Sequence, residues 1–513
     1  MKLPSIVYQD GIRKGPQVKF GGLNHNLGAG DGELWDMRNL TSDYYPLLAS
    51  RGRRRLFRTL TKGNGLFSWD ALAWADGTKF FYGGIERGSV EDNEKTFCAL
   101  GAYLIILPDK KYYNTLTGEF GSLESEWAGT SLTFTNGKLF EEEAKANTIQ
   151  CAGVDWSAYF KAGDAVTISG CTKHTENNKT PVIREIDGDK MYFYEYAFTL
   201  DGDKGETPYT ESGNMTVRRT VPMLRYICEN ENRLWGCDDT TIYASKLGDP
   251  FNWNVYEGLD TDSYAVDTGS AGKFTGCVSF LGYPIFFKED CFHRVYPSAT
   301  GAHQVVVQKC AGVQNGSSKS LVVVDDRLYY KSRMGVCVYD GSLPSEIGSC
   351  FGTKLYYNAV AGGVRGKYFI SMEDAAHNWM LFVYDTRKGL WHKEDSTHTE
   401  DFARVDDELY FLEDGTLKTV YGSVGTLEGP VGWMAETGIM TYGLVGKKYV
   451  SRINLRMQLP KGSSVDFWVQ YDSDGVWRHC GHIEGRGLRT FLLPIRPARC
   501  DHLKFRLTGK GEM

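Results

Sequence analysis

Residues 230–258 read NENRLWGCDDTTIYASKLGDPFNWNVYEG. Two short runs, RLWGC and TIYAS, flank the turn DDT, and a second turn, GDPFNWN, follows at once. Aromatic and branched residues suit a pleated, half-buried surface, while Asp, Asn and Gly accept the backbone angles of tight turns, so the stretch reads as a β-hairpin. The same grammar returns in LGYPIFFKEDCFHRVYP from Leu281, DRLYYKSRMGVCVYDG from Asp326, KYFISMEDAAHNWMLFVYDTRKGLW from Lys367 and DELYFLEDGTLKTVYG from Asp407. The starting points 232, 281, 326, 367 and 407 lie 49, 45, 41 and 40 residues apart. That period belongs to the four-stranded blades of a β-propeller. ALAWADGTKFFYGG (71–84) and GAYLIILPDKKYYNT (101–115) read as earlier copies. The expectation is an all-β chain built on a propeller of five to seven blades. Hairpins recurring this densely also suit a pair of stacked β-sandwiches, which stands as the alternative.

Within the repeats, Arg233, Trp235, Tyr243, Asp249, Trp253 and Trp391 read as hairpin and blade-packing residues. A competing reading makes Trp235, Trp253, Trp379, Trp391, Trp468 and Trp477 a sugar-stacking groove, but large aromatics are what fills the space between blades.

The rhythm breaks between about 125 and 220, where FKAGDAVTISG, TPVIREIDGDKMYFYEYAF and GNMTVRRTVP suggest a small β-domain inserted in a propeller loop, with one helical turn at 141–149. Loops accept such insertions at small entropic cost. After Gly432 longer alternating strands suggest a separate C-terminal β-sandwich over 431–513. Residues 1–60 are rich in Gly, Asn and Asp and read as an extended arm lying on something else. The propeller itself is expected over 61–124 and 221–430.

The chain has 513 residues, with 42% hydrophobic, 24% charged and 13% aromatic residues and 59 glycines, the profile of a soluble, strand-rich protein. The 58 basic and 64 acidic residues leave a net charge of −6, which argues against coating nucleic acid by bulk charge. MKLPSIVYQDGIRKG has no long apolar region, and no apolar run is long enough to span a bilayer, so synthesis in a cytoplasm without a membrane anchor is expected. The 12 cysteines form no CxxC and read as reduced, buried small hydrophobes.

No nucleophile elbow, zinc-protease, phosphate-loop or dinucleotide motif is present, so no catalytic residue, metal ligand or cofactor is assigned. His479 and His482 fall on a strand-like stretch and read as structural; the adjacent carboxylates Glu289–Asp290 and Glu394–Asp395 read as turn chemistry. DSDG (472–475) and DGDKGE (201–206) lack the other positions of a calcium loop and read as tight turns. The sharpest charged feature is Arg51, Arg53, Arg54, Arg55 and Arg58, read as a docking element toward a neighbouring subunit or tail protein, with channel lining and a solvated loop as alternatives.

Several segments resemble virion tail proteins of tailed bacteriophages: DGELWDMRNLTSDYYPLLASRGRRRLF, LGAYLIILPDKKYYNT, NRLWGCDDTTIYASKLGDPFNWN, GYPIFFKED, VQNGSSKSLVVVDDRLYYKSRMGVCVYDG, KGLWHKED and LPIRPARCDHLKFRLTGKGE. The likeness runs along nearly the whole chain, least distinctly over 125–220, and the architecture is similar to that of the propeller-bearing nozzle or hub proteins of short-tailed phages. It implies a non-enzymatic subunit of a homo-oligomeric ring, six-fold favoured, in the virion tail. Such a ring extends the DNA channel, helps seal the packaged genome and docks a portal adaptor, other tail proteins or tail fibres, touching double-stranded DNA in passing. Two further readings stand beside it: a tail-end or baseplate component of a long-tailed phage, and a carbohydrate-binding or glycosidase-like propeller.

Overall fold

A computed structural model describes residues 15, 17–26, 30, 32–135, 147–194, 197–202, 207–298, 303–444, 446–493, 495 and 498–513. The hairpin that opens the repeat argument is the inner half of one four-stranded sheet. Tyr226–Asn230, Arg233–Cys237, Thr241–Ala244 and Tyr264–Asp267 pair antiparallel in chain order, in the register Asn230↔Arg233, Trp235↔Ala244 and Thr241↔Asp267. Its first turn places Glu231 and Asn232 at φ 51° and 60°, and Asp325 and Asp326 do the same two sheets later at 46° and 59°. Two consecutive left-handed residues form the turn whose twist matches that of the strands it joins.

Among the described residues six such four-stranded sheets occur, starting at Gly63, Thr96, Tyr226, Gly276, Val322 and Tyr356. A seventh sheet of the series starts at Asp401. Apolar clusters join each sheet to the next, Ile105 of the second meeting Leu234 of the third and Tyr329 of the fifth meeting Tyr368 of the sixth. Phe80 of the first meets Phe97 of the second, Trp235 of the third meets Phe286 of the fourth, and Phe287 of the fourth meets Tyr330 of the fifth. Phe369 of the sixth meets Phe411 of the seventh, and Leu412 of the seventh meets Trp74 of the first. The ring therefore closes: the molecule carries a seven-bladed β-propeller, within the expected range and not a stacked sandwich pair. Neither face of a blade is left to water, which is why units of this kind stabilise one another only as a ring.

The last blade is completed from the other end of the chain. Asp401–Val405, Glu408–Glu413 and Thr416–Val420 supply three strands, and Arg55–Thr59 pairs antiparallel with the third, Thr419 opposite Arg55. Thr426–Leu427 covers the outer edge of that strand. The reading of 1–60 as an arm lying on something else is thereby corrected for its described part. Gly22–Leu23 and Glu33–Arg38 pair parallel, and Glu33–Arg38 then pairs with Gly432–Thr437. The low apolar content that suggested an arm reflects short strands joined by polar turns, with Phe20, Leu23, Leu34, Met37 and Leu40 all buried.

The C-terminal region is likewise not separate. Its larger sheet has six strands, two of them from the N-terminal segment, and Ile453–Leu459 pairs with Gly487–Leu493 in a second small sheet. Trp433, Met457, Leu459 and Val465 share one apolar cluster with Tyr356, Phe382 and Trp391 of the propeller. Between the second and third blades, Ser125–Thr135 and Tyr209–Arg219 form the long central pair of a six-stranded inserted sheet with its own core around Trp127, Phe134 and Trp156. Thr148–Gln150 is a strand of that sheet, so the helical turn expected at 141–149 is absent from its described end; 141–146 lie outside the described residues.

Candidate functional site

The five arginines mark the seam where the ring closes. Arg51 and Arg54 are buried at 8% and 5% exposure. Arg54 Nη2 donates to Glu394 Oε2 at 2.6 Å, its Nη1 lies 3.0 Å from Asp395 Oδ2 and donates to Thr397 Oγ1 at 2.8 Å, and its guanidinium sits 5.3 Å over the Phe411 ring. Arg51 Nη1 reaches Glu428 Oε1 at 2.5 Å and its Nε donates to Asn39 Oδ1 at 2.8 Å. Arg53 Nε donates to the Glu428 carbonyl at 2.7 Å, and Arg55 Nε to the Gly422 carbonyl at 3.0 Å. Arg58 stacks on the next blade, 5.3 Å over Trp74 and 5.1 Å over Phe81.

Burial alone would raise the Asp395 carboxyl. Arg54, Thr397 and Arg51 outweigh it and hold the group down at about 2, while the same carboxylates push Arg54 up. This corrects the docking reading for Arg51 and Arg54, whose charges are matched inside the chain. It also corrects the reading of Glu394–Asp395 as turn chemistry: past the strand Leu390–Lys393 the two carboxylates converge on one guanidinium. Among the five arginines, Arg53 and Arg58 remain exposed.

A second polar junction fastens the insertion. The GDPFNWN turn wedges between the second and third blades, where Phe251 packs edge-on against Tyr103 and Tyr112 and Trp253 is 2% exposed with Nε1 donating to the Pro250 carbonyl at 3.0 Å. Asp249 Oδ1 accepts from the Phe251 N–H at 2.8 Å and Oδ2 from Asn252 Nδ2 at 2.7 Å. Asn252 then crosses to the insertion: Nδ2 donates to Asp164 Oδ1 and Oδ1 accepts from the Ala165 N–H, both at 3.0 Å. Arg219, from the last inserted strand, pairs with the buried Asp164 and lies 5.1 Å over Phe251. Sequence reasoning does not single out Asp164, Arg219 and Asn252, because the three are 33 or more residues apart and no local pattern joins them.

The other packing residues sit inside the propeller. Arg233 donates through Nη2 to the Asp260 carbonyl at 3.0 Å and also binds the Asp262 carbonyl; burial lowers its pKa. Tyr243 OH donates to Asp238 Oδ2 at 3.0 Å. Trp235 is 1% exposed, and Trp391, 4% exposed, donates from Nε1 to the Ile347 carbonyl at 2.7 Å. Trp379 is stacked on His398 with ring centroids 3.8 Å apart, and Trp477 lies under Arg506 at 4.0 Å. The six tryptophans thus form no common groove.

Beside the insertion junction opens a cleft of about 430 Å³. The insertion contributes Thr167, Thr180, Val182, Phe193 and Tyr194, and the third blade's long loop contributes Asn254, Tyr256 and Glu257. Elsewhere, a register shift between Phe467 and Trp468 brings His479 and His482 to one face, where His479 Nε2 and His482 Nδ1 both lie 2.9 Å from Asp466 Oδ1. Among the described residues no group of three or more His, Cys, Asp or Glu side chains is set to hold a metal ion, and all 12 cysteines are free thiols. Asp472, Ser473 and Gly475 of DSDG adopt the left-handed angles of a turn; 203–206 of the other motif lie outside the described residues. No helix among the described residues is long and apolar enough to cross a membrane.

No family model matches the chain, and no curated protein matches it. Among solved structures it is similar to BamB from Moraxella catarrhalis, at 9% identity and TM-score 0.22 over 57% of this chain and 97% of that one. It is also similar to AztD from Citrobacter koseri, at 10% identity and TM-score 0.28 over 80% and 95% of the two chains. The extracellular domain of the putative hybrid two component system BT4673 from B. thetaiotaomicron aligns at 8% identity and TM-score 0.18 over 93% and 98%. At these scores the likenesses carry no functional argument, and the propeller stands on its own sheets and register.

Proposed function

We propose that this chain is a non-catalytic structural subunit of a tailed-phage virion, a nozzle or hub protein that assembles into a homo-oligomeric ring around the path of the DNA. The observation that carries the reading is the way the chain is tied into one body. Its N-terminal strand closes the propeller, its N-terminal segment completes the C-terminal sandwich, and its insertion is bolted by Asp164, Arg219 and Asn252. A ring that must hold a pressurised genome needs subunits that do not flex internally. A closed propeller without long unpaired edges supplies that rigidity. The tail-protein-like motif NRLWGCDDTTIYASKLGDPFNWN occupies the hairpin and wedge that fasten the insertion, so the resemblance and the rigidity involve the same residues. With a net charge of −6 the chain has little bulk attraction for passing DNA, which favours sliding over retention.

The test is copy number. Mass spectrometry of density-purified particles should find the chain at about six or twelve copies, the numbers a six-fold ring allows. Absence from particles overturns the proposal.

A further inference from the structure

The cleft beside the insertion has the chemistry of a small binding site. We propose that it takes a short, uncharged oligosaccharide. The inference does not depend on the virion reading, since it rests on the cleft alone. Its volume of about 430 Å³ lies within the ~300–1,000 Å³ usual for small-molecule sites. Buried Val182 and Phe193 form an apolar part of the lining. Tyr194 and Tyr256 stand at the cleft with 46% and 59% of their surface exposed. Two exposed tyrosines on a cleft offer flat apolar faces with hydroxyl tips, the surface on which the C–H face of a pyranose packs.

The polar lining is of matching kind. Thr167 and Thr180 hydroxyls bond each other at 3.0 Å, and the Asn254 amide and Glu257 carboxylate complete it. Between them, hydroxyl, amide and carboxylate groups can donate to and accept from sugar hydroxyls. Among the described residues none that lines the cleft is Lys or Arg, which disfavours a phosphate, sulfate or nucleic-acid ligand. Burial and the neighbouring Asp262 raise the Glu257 carboxyl, with Lys246 acting the other way, which fits a group that meets a neutral partner. The two walls come from different units, and the Asp164–Arg219–Asn252 bolt fixes their separation, so the cleft is preformed.

The probe is a panel of neutral di- to tetrasaccharides of glucose, galactose, N-acetylglucosamine and rhamnose, read by saturation-transfer NMR on the full chain up to about 5 mM. At least one should bind, and Tyr256→Ala and Tyr194→Ala should each weaken it by about tenfold or more with unchanged thermal melting. Both side chains are exposed, so the variants keep the fold; Thr180→Val offers an independent probe of the hydroxyl pair and should weaken binding less. Failure of every saccharide, binding that survives both tyrosine variants, or preference for lysine-rich peptides over all saccharides each overturns the proposal.

Discussion

Arg54 shows what a single buried charge does here. Its guanidinium is satisfied by Glu394, Asp395 and Thr397 and covered by Phe411. Removing one partner of such a group leaves the others buried and unmatched, so Arg54→Ala should cost about 3–5 kcal/mol in denaturant unfolding. Arg53→Glu, at an exposed position, should change stability by less than about 1 kcal/mol. Charge reversal at Arg54 would therefore destabilise the seam itself; Arg53 and Arg58 are the positions at which docking can be tested without that confusion. The buried histidines set the response to acid. Burial, helped by Lys367, pushes His392 down to about 3, and burial with Lys288 pushes His293 to about 4. Above about pH 6.5, the ordinary histidine value, neither state binds the proton and stability is complete. Below it the unfolded chain is protonated and the folded chain is not, so each histidine removes about 1.4 kcal/mol per pH unit until its folded pKa is reached. Asp395 adds a loss of the same sign at lower pH, between its unfolded value near 4 and about 2. Melting temperature should fall steadily from about pH 7 to 5, and His392→Leu should flatten that slope; a melting temperature indifferent to pH in this range would refute the assignment.

At the scale of elements, the repeat was legible because each blade writes its own hairpin in local turn chemistry, as Asn232 and Asp325–Asp326 do with left-handed angles. What stayed hidden was pairing between distant segments. Arg55–Thr59 has nothing in its own neighbourhood to mark it as the outer strand of a blade some 360 residues away, since Thr419 pairs with Arg55. The same holds for Glu33–Arg38 against Gly432–Thr437. The arginine cluster was conspicuous as charge, yet its counter-charges at 394, 395 and 428 are remote in sequence, so a clamp looked like a free patch. The tyrosines and threonines of the cleft lie at strand ends and in loops, with no motif to mark them. The insertion's bolt is the element most open to test. Asn252→Ala removes bonds to both Asp164 and Ala165, so limited proteolysis should cut near 123–125 or 219–226 faster than in the parent chain, with the propeller fragments intact.

For the whole molecule, the blade interfaces, the seam and the shared N- and C-terminal core belong to one connected body. Such a body should unfold in a single cooperative step apart from the insertion, which has its own core. Calorimetry should show one dominant transition, and a deletion variant lacking 125–219 should retain it.

The seam also carries an order of events. Arg55–Thr59 leaves the ribosome some 360 residues before the strand it must pair with, Thr416–Val420. Until that strand is made the growing sheets present open edges, and the arginines lack Glu394, Asp395 and Glu428 until each is made. The ring can be sealed only once residues through Glu428 have been made, so a product terminated before them is left unsealed, with the exposed strand edges that aggregate or are degraded. Closing Arg55–Thr59 onto the last blade thus works as a checkpoint in synthesis: only chains that carry residues through Glu428 reach the closed form.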